Sequence, residues 1–190
     1  MDQPAVLDLF RASGALLEGH FRLSSGLHSP AYLQCALVLQ HPAHAEALGR
    51  ALGATFGGAR ATVVLSPALG GLIIGHEVAR ALGVRAIFAE RQEGTLTLRR
   101  GFTLSPDDRV VVIEDVVTTG GSTRETMAVA AAAGATVVAA GAVIDRSGGT
   151  ADLGVPFHAL ATLTVETWPP EQCPLCAKGV EVVKPGSRKS

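Results

Sequence analysis

Apolar positions recur along this chain with two alternating periods. Residues 2–13 place Val6, Leu9 and Phe10 on one helical face, and Gly14 stops the run. Residues 21–34 lack that period: Ser24-Ser25-Gly26 and Ser29-Pro30 are turn chemistry flanked by short extended pieces. Pro42 opens a second helix, with Ala45, Leu48, Leu52 and Phe56 at helical spacing and Gly57-Gly58 at its end. A strand–helix rhythm then sets in. Residues 61–65 are a short β-branched strand, 66–71 a Pro/Gly loop, 72–82 a helix closed by Gly83, and 84–89 a second strand. Residues 110–113 form a third strand, apolar at every position as a strand covered on both faces must be. A helix over 122–133, closed by Gly134, leads to a fourth strand over 136–144. Strand–helix–strand order with short connections predicts an α/β fold, a central parallel sheet flanked by helices.

Two segments break the rhythm. Residues 90–109 join two core strands through mixed polar, charged and glycine positions, and a connection that long in a small domain is functional or mobile. Within it, residues 95–98 alternate as a hairpin strand does. The tail from Pro169 is rich in Pro, Cys and Lys and reads as a surface appendage. No repeat or linker divides the chain, so residues 1–190 are expected to form one domain, with a small hood drawn largely from residues 1–40.

Composition narrows the function. At 47% hydrophobic and 17% charged, 190 residues can bury a core and are not disordered. A net charge of −1 gives no general attraction to nucleic acid or membrane, and 4% aromatic content argues against base-stacking platforms. No apolar run reaches the roughly 20 residues that span a bilayer. The N-terminus has neither a basic flank nor an apolar signal core, so a soluble, cytoplasmic protein is expected. Three cysteines make no disulfide framework. Cys173-Pro-Leu-Cys176 is half the set of about four ligands that a structural zinc needs, unless histidines or a second subunit complete it. The expected state of that pair is reduced, in a structural or dispensable tail. His41 and His44, flanking Pro42, read as surface residues.

The most informative segment runs from Val110 to Ser122. A buried strand leads into Glu114-Asp115-Val116-Val117, then Thr118-Thr119-Gly120-Gly121-Ser122, then a helix. Ligands of open α/β sheets bind at the carboxyl ends of strands, so this loop lies where a ligand belongs. Its N–H groups and the helix N-terminus form an anion site, to which Thr118, Thr119 and Ser122 add hydroxyl donors. The two carboxylates would repel a phosphate; sugar hydroxyls, or a metal bound to them, are their natural partners. A sugar phosphate satisfies both ends. The chain has no Walker A loop and no GxGxxG fingerprint. The competing structural reading is a capping box of Ser122 with Glu125, which explains neither the acids nor the doubled Thr and Gly.

This segment resembles the phosphoribosyl diphosphate (PRPP) motif of type I phosphoribosyltransferases. Phe21-Arg-Leu-Ser-Ser25-Gly26-Leu-His28-Ser29-Pro30, Ser66-Pro67-Ala68-Leu69-Gly70-Gly71 and Asp145-Arg146 are similar to the orotate phosphoribosyltransferases among them, and the likeness covers nearly the whole chain. The resemblance implies transfer of the phosphoribosyl group from PRPP to orotate, giving orotidine 5′-monophosphate and pyrophosphate in pyrimidine synthesis. It implies that residues 114–122 bind PRPP, that Ala68, Leu69, Gly70 and Gly71 bind the pyrophosphate, and that Ser25, Gly26, Thr118 and Arg146 bind orotate. Arg146 suits this because a guanidinium is a bidentate partner for a carboxylate; its alternative is a surface ion pair with Asp145 or Asp152. Arg91 and Asp115 are the implied catalytic residues. Mg²⁺, held mainly by PRPP, is the implied cofactor, and a homodimer sharing the 90–109 catalytic loop the implied assembly. Arg91, Arg99 and Arg100 are the candidate cations of that loop.

The chain departs from the family in three places. Leu69-Gly70 stands where many members carry a Lys, Arg91-Gln92-Glu93-Gly94 replaces a Lys-rich loop, and Ser24 replaces Lys or Arg. Two alternatives remain at this point. A transferase for a purine or another base would need no cation for a base carboxylate. A PRPP-sensing regulator would need a basic nucleic-acid face, against which the balanced charge argues.

Overall fold

A computed structural model describes residues 1–23 and 25–184; the Ser24 position of the family comparison and the last six residues lie outside the described ones. Helix α1 (Gln3–Ala12) starts on Asp2, whose carboxylate accepts from Ala5 N at 3.1 Å, and buries Val6 and Phe10. Strands β1 (Leu16–Arg22) and β2 (His28–Leu33) pair antiparallel as a separate two-stranded hood, more regular than the isolated extended pieces read from sequence. A short helix α2 (Cys35–Leu39), which the periodicity did not reveal, leads to α3 (Pro42–Gly53).

The core is a six-stranded sheet in the order β5-β4-β3-β6-β7-β8. Its strands are β3 (Val63–Pro67), β4 (Arg85–Gln92), β5 (Thr95–Leu98), β6 (Arg109–Val117), β7 (Thr136–Asp145) and β8 (Phe157–Thr162). All pairings are parallel except β4 with β5. Helix α4 (Gly71–Leu82) crosses from β3 to β4, and α5 (Gly121–Ala132) from β6 to β7. The parallel sheet flanked by helices is therefore as read. The additions are β8 and the extension of β6 to Val117, which puts Glu114 and Asp115 inside the strand rather than after it.

Each face of the sheet has its own apolar layer. Val64, Val111, Ile113 and Val143 pack with α1, α3 and α4, while Val63, Leu65, Val110 and Val112 pack on the face that carries Ala130 of α5. Successive residues of one strand thus serve opposite layers, as a pleated strand requires. The hairpin anticipated at residues 95–98 forms: Gln92 pairs with Thr95 across Glu93-Gly94, both at positive φ, the conformation of a two-residue primed turn. The short tail helix α6 (Pro174–Ala177) lies against the hood. Val183 N donates to His20 O, Arg22 N to Val183 O, and Trp168 exchanges two backbone bonds with His28.

Opposite the loops that follow β3 and β6, Asp108 ties three elements together. Its carboxylate accepts from Arg85 Nη2 at 2.7 Å, Ser105 N at 2.8 Å and Thr62 Oγ1 at 3.0 Å. Burial alone would raise its pKa, but these donors outweigh burial and bring it to about 2. Its stabilising contribution is therefore complete above the unfolded carboxyl value near 3.8 and disappears as pH falls through about 2. Asp108→Ala should cost about 1–3 kcal/mol at neutral pH. In urea unfolding the gap between variant and parent should narrow steadily as the buffer is taken below about pH 4.

Candidate active site

The chain leaves β3 toward β4 on one side and leaves β6 toward β7 on the other. Beyond the carboxyl ends of β3 and β6 the crossovers diverge, and the two connecting loops, 68–70 and 118–120, face one crevice. A cavity of about 1040 Å³ opens there. It is lined by Leu69, Gly70, Asp115, Val116, Thr118 and Thr119, and by Arg146 from the end of β7. The hood supplies Ser25 and Tyr32 to its wall.

Local backbone explains these placements. Gly120 takes φ +76° as the residue before α5, and a Cβ there would stand 2.6 Å from Leu153, so the loop requires glycine. Ser122 is the second residue of α5, not its cap. No side chain caps that helix, and Glu125 turns instead to Arg91 and Leu96 N. The capping-box reading is thereby overturned: the first-turn N–H groups of α5 and the Ser122 hydroxyl are left for a ligand. Gly70 packs so closely on Asp115 that a Cβ would lie 2.7 Å from Oδ1, so any side chain there would drive into the carboxylate. Gly71 is buried as the first residue of α4, and the Ala68-Leu69 peptide before it is cis.

The two acids share a strand but not an environment. Asp115 faces the cavity, whereas Glu114, one residue earlier, points to the other side of the sheet and does not line it. Burial raises the pKa of both. For Asp115 the backbone N–H of Val116, 2.9 Å from Oδ1, opposes the rise. For Glu114 burial, with the Asp115 charge added, pushes the value to about 8, and its Oε2 is buried without a hydrogen-bond partner.

Arg146 lines this cavity, and among the described residues no carboxylate pairs with it. Asp145, its proposed surface partner, instead accepts from Ser147 N at 2.7 Å and Gly149 N at 3.0 Å. The backbone N–H of Arg146 donates to Val117 O at 2.7 Å, which fixes it beside the end of β6. Burial lowers its pKa, and its Nε is buried with no acceptor. Tyr32 stands close enough for its hydroxyl to feel both Asp115 and Arg146; burial and Asp115 raise its pKa against the pull of Arg146.

Other residues named from sequence lie further off. Arg91 sits in the β4–β5 hairpin, outside the cavity lining, and makes a two-pronged pair with Glu125 at 3.0 and 2.8 Å. Arg99 and Arg100 both pair with Glu90. Gly26, Ala68, Val117, Gly121 and Ser122 belong to the loops and strand ends around the cavity without lining it. Sequence reasoning missed Arg124, which lines the cavity and donates to Thr119 O at 2.5 Å and Asp152 O at 2.9 Å. Its signal was its position, two residues past Ser122, one turn into the helix behind an anion loop.

Comparison with known proteins agrees with this geometry. Residues 37–156 match the phosphoribosyl transferase domain family. The chain is 54% identical to the orotate phosphoribosyltransferase of Pelotomaculum thermopropionicum, with 100% of both chains covered. It is 57% identical to that of Heliobacterium modesticaldum, over 99% of this chain and 100% of the relative. The crystal structure of orotate phosphoribosyltransferase from Aeropyrum pernix superposes with a TM-score of 0.68 at 29% identity, covering 83% of this chain and 93% of that one.

Glu114 generates a test of the site's electrostatics. A carboxyl whose folded pKa is raised to about 8 binds its proton more tightly in the folded state than in the unfolded one. Stability therefore falls as pH rises from about 4.5 to about 8 and levels off above. Glu114→Gln removes this loss. Its unfolding midpoint should exceed the parent's by a margin that widens across that window, reaching about 1 kcal/mol or more at pH 9.

Proposed function

The chain belongs to the phosphoribosyltransferase family, and we propose the following division of labour for its work as an orotate phosphoribosyltransferase. The bond between C1′ of the ribose and the pyrophosphate oxygen breaks, its electron pair leaving with pyrophosphate, and a bond from orotate N1 to C1′ forms. Orotate gives up its N1 proton to solvent before transfer, so the protein needs no strong base. Catalysis then rests on positioning and on charge stabilisation.

The observation that carries the base assignment is Arg146, buried at the cavity wall with an unpartnered Nε and no carboxylate of its own. Orotate brings the missing carboxylate; uracil and the purines do not. Thr118 and the Ser25-Gly26 turn complete the base pocket. The 5′-phosphate lies on the N–H groups of Thr118 to Ser122 at the start of α5, with Arg124 beside it. Asp115, facing the cavity, accepts from the ribose hydroxyls; Glu114, expected from the sequence to share that role, points away from the cavity and does not.

The Asp115 carboxylate would fit Mg²⁺, which prefers hard carboxylate and hydroxyl donors and keeps substrate oxygens in its shell. One cavity-facing carboxylate suits an ion held chiefly by PRPP. When bound, it neutralises charge on the pyrophosphate.

The loop 68–71 presents backbone to the pyrophosphate but carries no cation, and among the described residues the cavity lining holds only Arg124 and Arg146 as positive side chains. Arg91, with Arg99 and Arg100, supplies the remaining positive charge from residues 90–109. Its approach requires exchange of Glu125 for the leaving group, in its own subunit or across a homodimer. Substrates as polar as PRPP and orotate do not cross membranes freely, which supports a cytoplasmic setting for this step of pyrimidine nucleotide synthesis.

Purified protein should release pyrophosphate from PRPP with orotate and not with uracil, adenine or hypoxanthine; turnover with another base alone would overturn the pocket assignment. Arg146→Ala should lower kcat/KM for orotate by about 30- to 1000-fold, the worth of a buried charge-assisted pair, with PRPP affinity changed by less than about threefold. Arg91→Ala should lower kcat by about 10- to 100-fold at nearly constant orotate KM, because its contact forms as charge builds on the leaving group.

A further inference from the structure

We propose that this protein carries a structural zinc site, built from His20, His28, Cys173 and Cys176, that clamps the C-terminal tail to the hood. The two halves of the site come from opposite ends of the chain, 153 residues apart for His20 and Cys173. Among the described residues these four form the one group of three or more His, Cys, Asp or Glu side chains placed to share a metal, and their ligand atoms all lie within 4.8 Å of one another. The half-set read from Cys173 and Cys176 is completed by two histidines of the same chain.

Three of the distances match the edges of a tetrahedron. A zinc ion with bonds of about 2.0 Å to imidazole nitrogen and 2.3 Å to thiolate sulfur separates its ligand atoms by about 3.3–3.8 Å. Here Cys173 Sγ lies 3.4 Å from His20 Nε2, and Cys176 Sγ 3.8 Å from the same nitrogen and 3.3 Å from His28 Nδ1. The two ring nitrogens are 2.8 Å apart, slightly under one tetrahedral edge.

The outer contacts fix the protonation that a metal requires. His20 Nδ1 lies 2.7 Å from Val180 O, which can only accept, so Nδ1 carries the proton. His20 Nε2 is then a lone pair aimed into the cluster. A ligating histidine held by a backbone carbonyl through its other nitrogen is the usual second-sphere arrangement at zinc. Charge also balances: two thiolates neutralise one divalent cation, which suits a site where His20, His28 and Cys173 are 3%, 6% and 3% exposed. Two thiolates with two imidazoles favour zinc over the harder Mg²⁺ of the proposed active site.

The location explains the need. The hood is a two-stranded sheet, and a lone hairpin is marginal in water. His20 and His28 sit on either side of the turn that carries Ser25 into the cavity. A metal bridging them and Cys173/Cys176 holds that turn while locking the tail backbone onto both hood strands.

This inference does not depend on the orotate reading, because its primary readout is metal content. Full-length protein, purified under reducing conditions without chelator, should contain about one zinc per chain by inductively coupled plasma mass spectrometry. Metal-free parent, prepared by chelation, should rebind one Zn²⁺ with a rise in Tm. With Co²⁺ it should give the intense ligand-field bands of a tetrahedral site and thiolate-to-cobalt charge transfer. The Cys173→Ser/Cys176→Ser variant should lose all three signals while far-UV circular dichroism reports whether the main domain persists. If that variant does not fold, the chelation and Co²⁺ titration of the parent decide alone. Substoichiometric zinc after Zn²⁺ loading, an octahedral Co²⁺ spectrum without charge transfer, or a Cys173–Cys176 disulfide in the freshly purified reduced protein would each overturn the site.

Discussion

Val63, Val64 and Leu65 of β3 lie in parallel register against Val110, Val111 and Val112 of β6, and all six are fully buried. This pairing is the constraint around which the molecule is arranged. With apolar layers on both faces, neither strand can slip by one residue without exchanging its two side-chain sets. Because right-handed crossovers carry the chain outward from it in opposite directions, neither crossover covers the carboxyl ends of these two strands. The backbone groups of loops 68–70 and 118–120 are left unpaired with each other for the same reason. A binding crevice is thus a product of the topology, before any particular side chain is chosen.

Side chains then make that crevice costly when empty. Asp115 is drawn toward the neutral form by burial, and Arg146 is drawn toward losing its charge. Arg146 Nε is buried without a partner. An unmade hydrogen bond on a buried charged group is worth more than the typical 1 kcal/mol of a made one. A ligand that brings hydroxyls to Asp115 and a carboxylate to Arg146 relieves both at once. The site's affinity and its selectivity therefore share one origin, and a base lacking the carboxylate leaves the guanidinium stranded.

Much of this was legible in the sequence because it rests on local rules. The buried β6 run, the Thr-Thr-Gly-Gly-Ser loop and the strand–helix alternation depend on neighbours within a few positions, and they appear where periodicity puts them. What was illegible depends on distant partners. The β8 strand, Phe157–Thr162, follows a loop with no helix of its own, so no strand–helix rhythm announced it. Ser122 and Glu125 have the spacing of a capping box. Yet Arg91, 34 residues earlier, offers Glu125 a two-pronged charged partner that a single neutral cap cannot match. Arg124 needed the knowledge that the first turn of α5 leans on the loop before it.

The hood shows the same limit in its strongest form. A two-stranded sheet and a short tail gain little from apolar burial of their own, and for a crosslink the sequence offers one Cys-x-x-Cys and two histidines eight residues apart. Neither half announces itself, since spacing within a motif says nothing of what folds against it. Once Trp168 and Val183 pair with β2 and β1, the two halves can meet only at the base of the Ser25 turn. The hydrogen-bonded tail would by itself restrain the hood along its strands. It would leave the hairpin free to twist about them, and Ser25 with it. A crosslink with four fixed directions removes that remaining freedom, which is the freedom a base pocket closed by a two-stranded hood has most reason to lose.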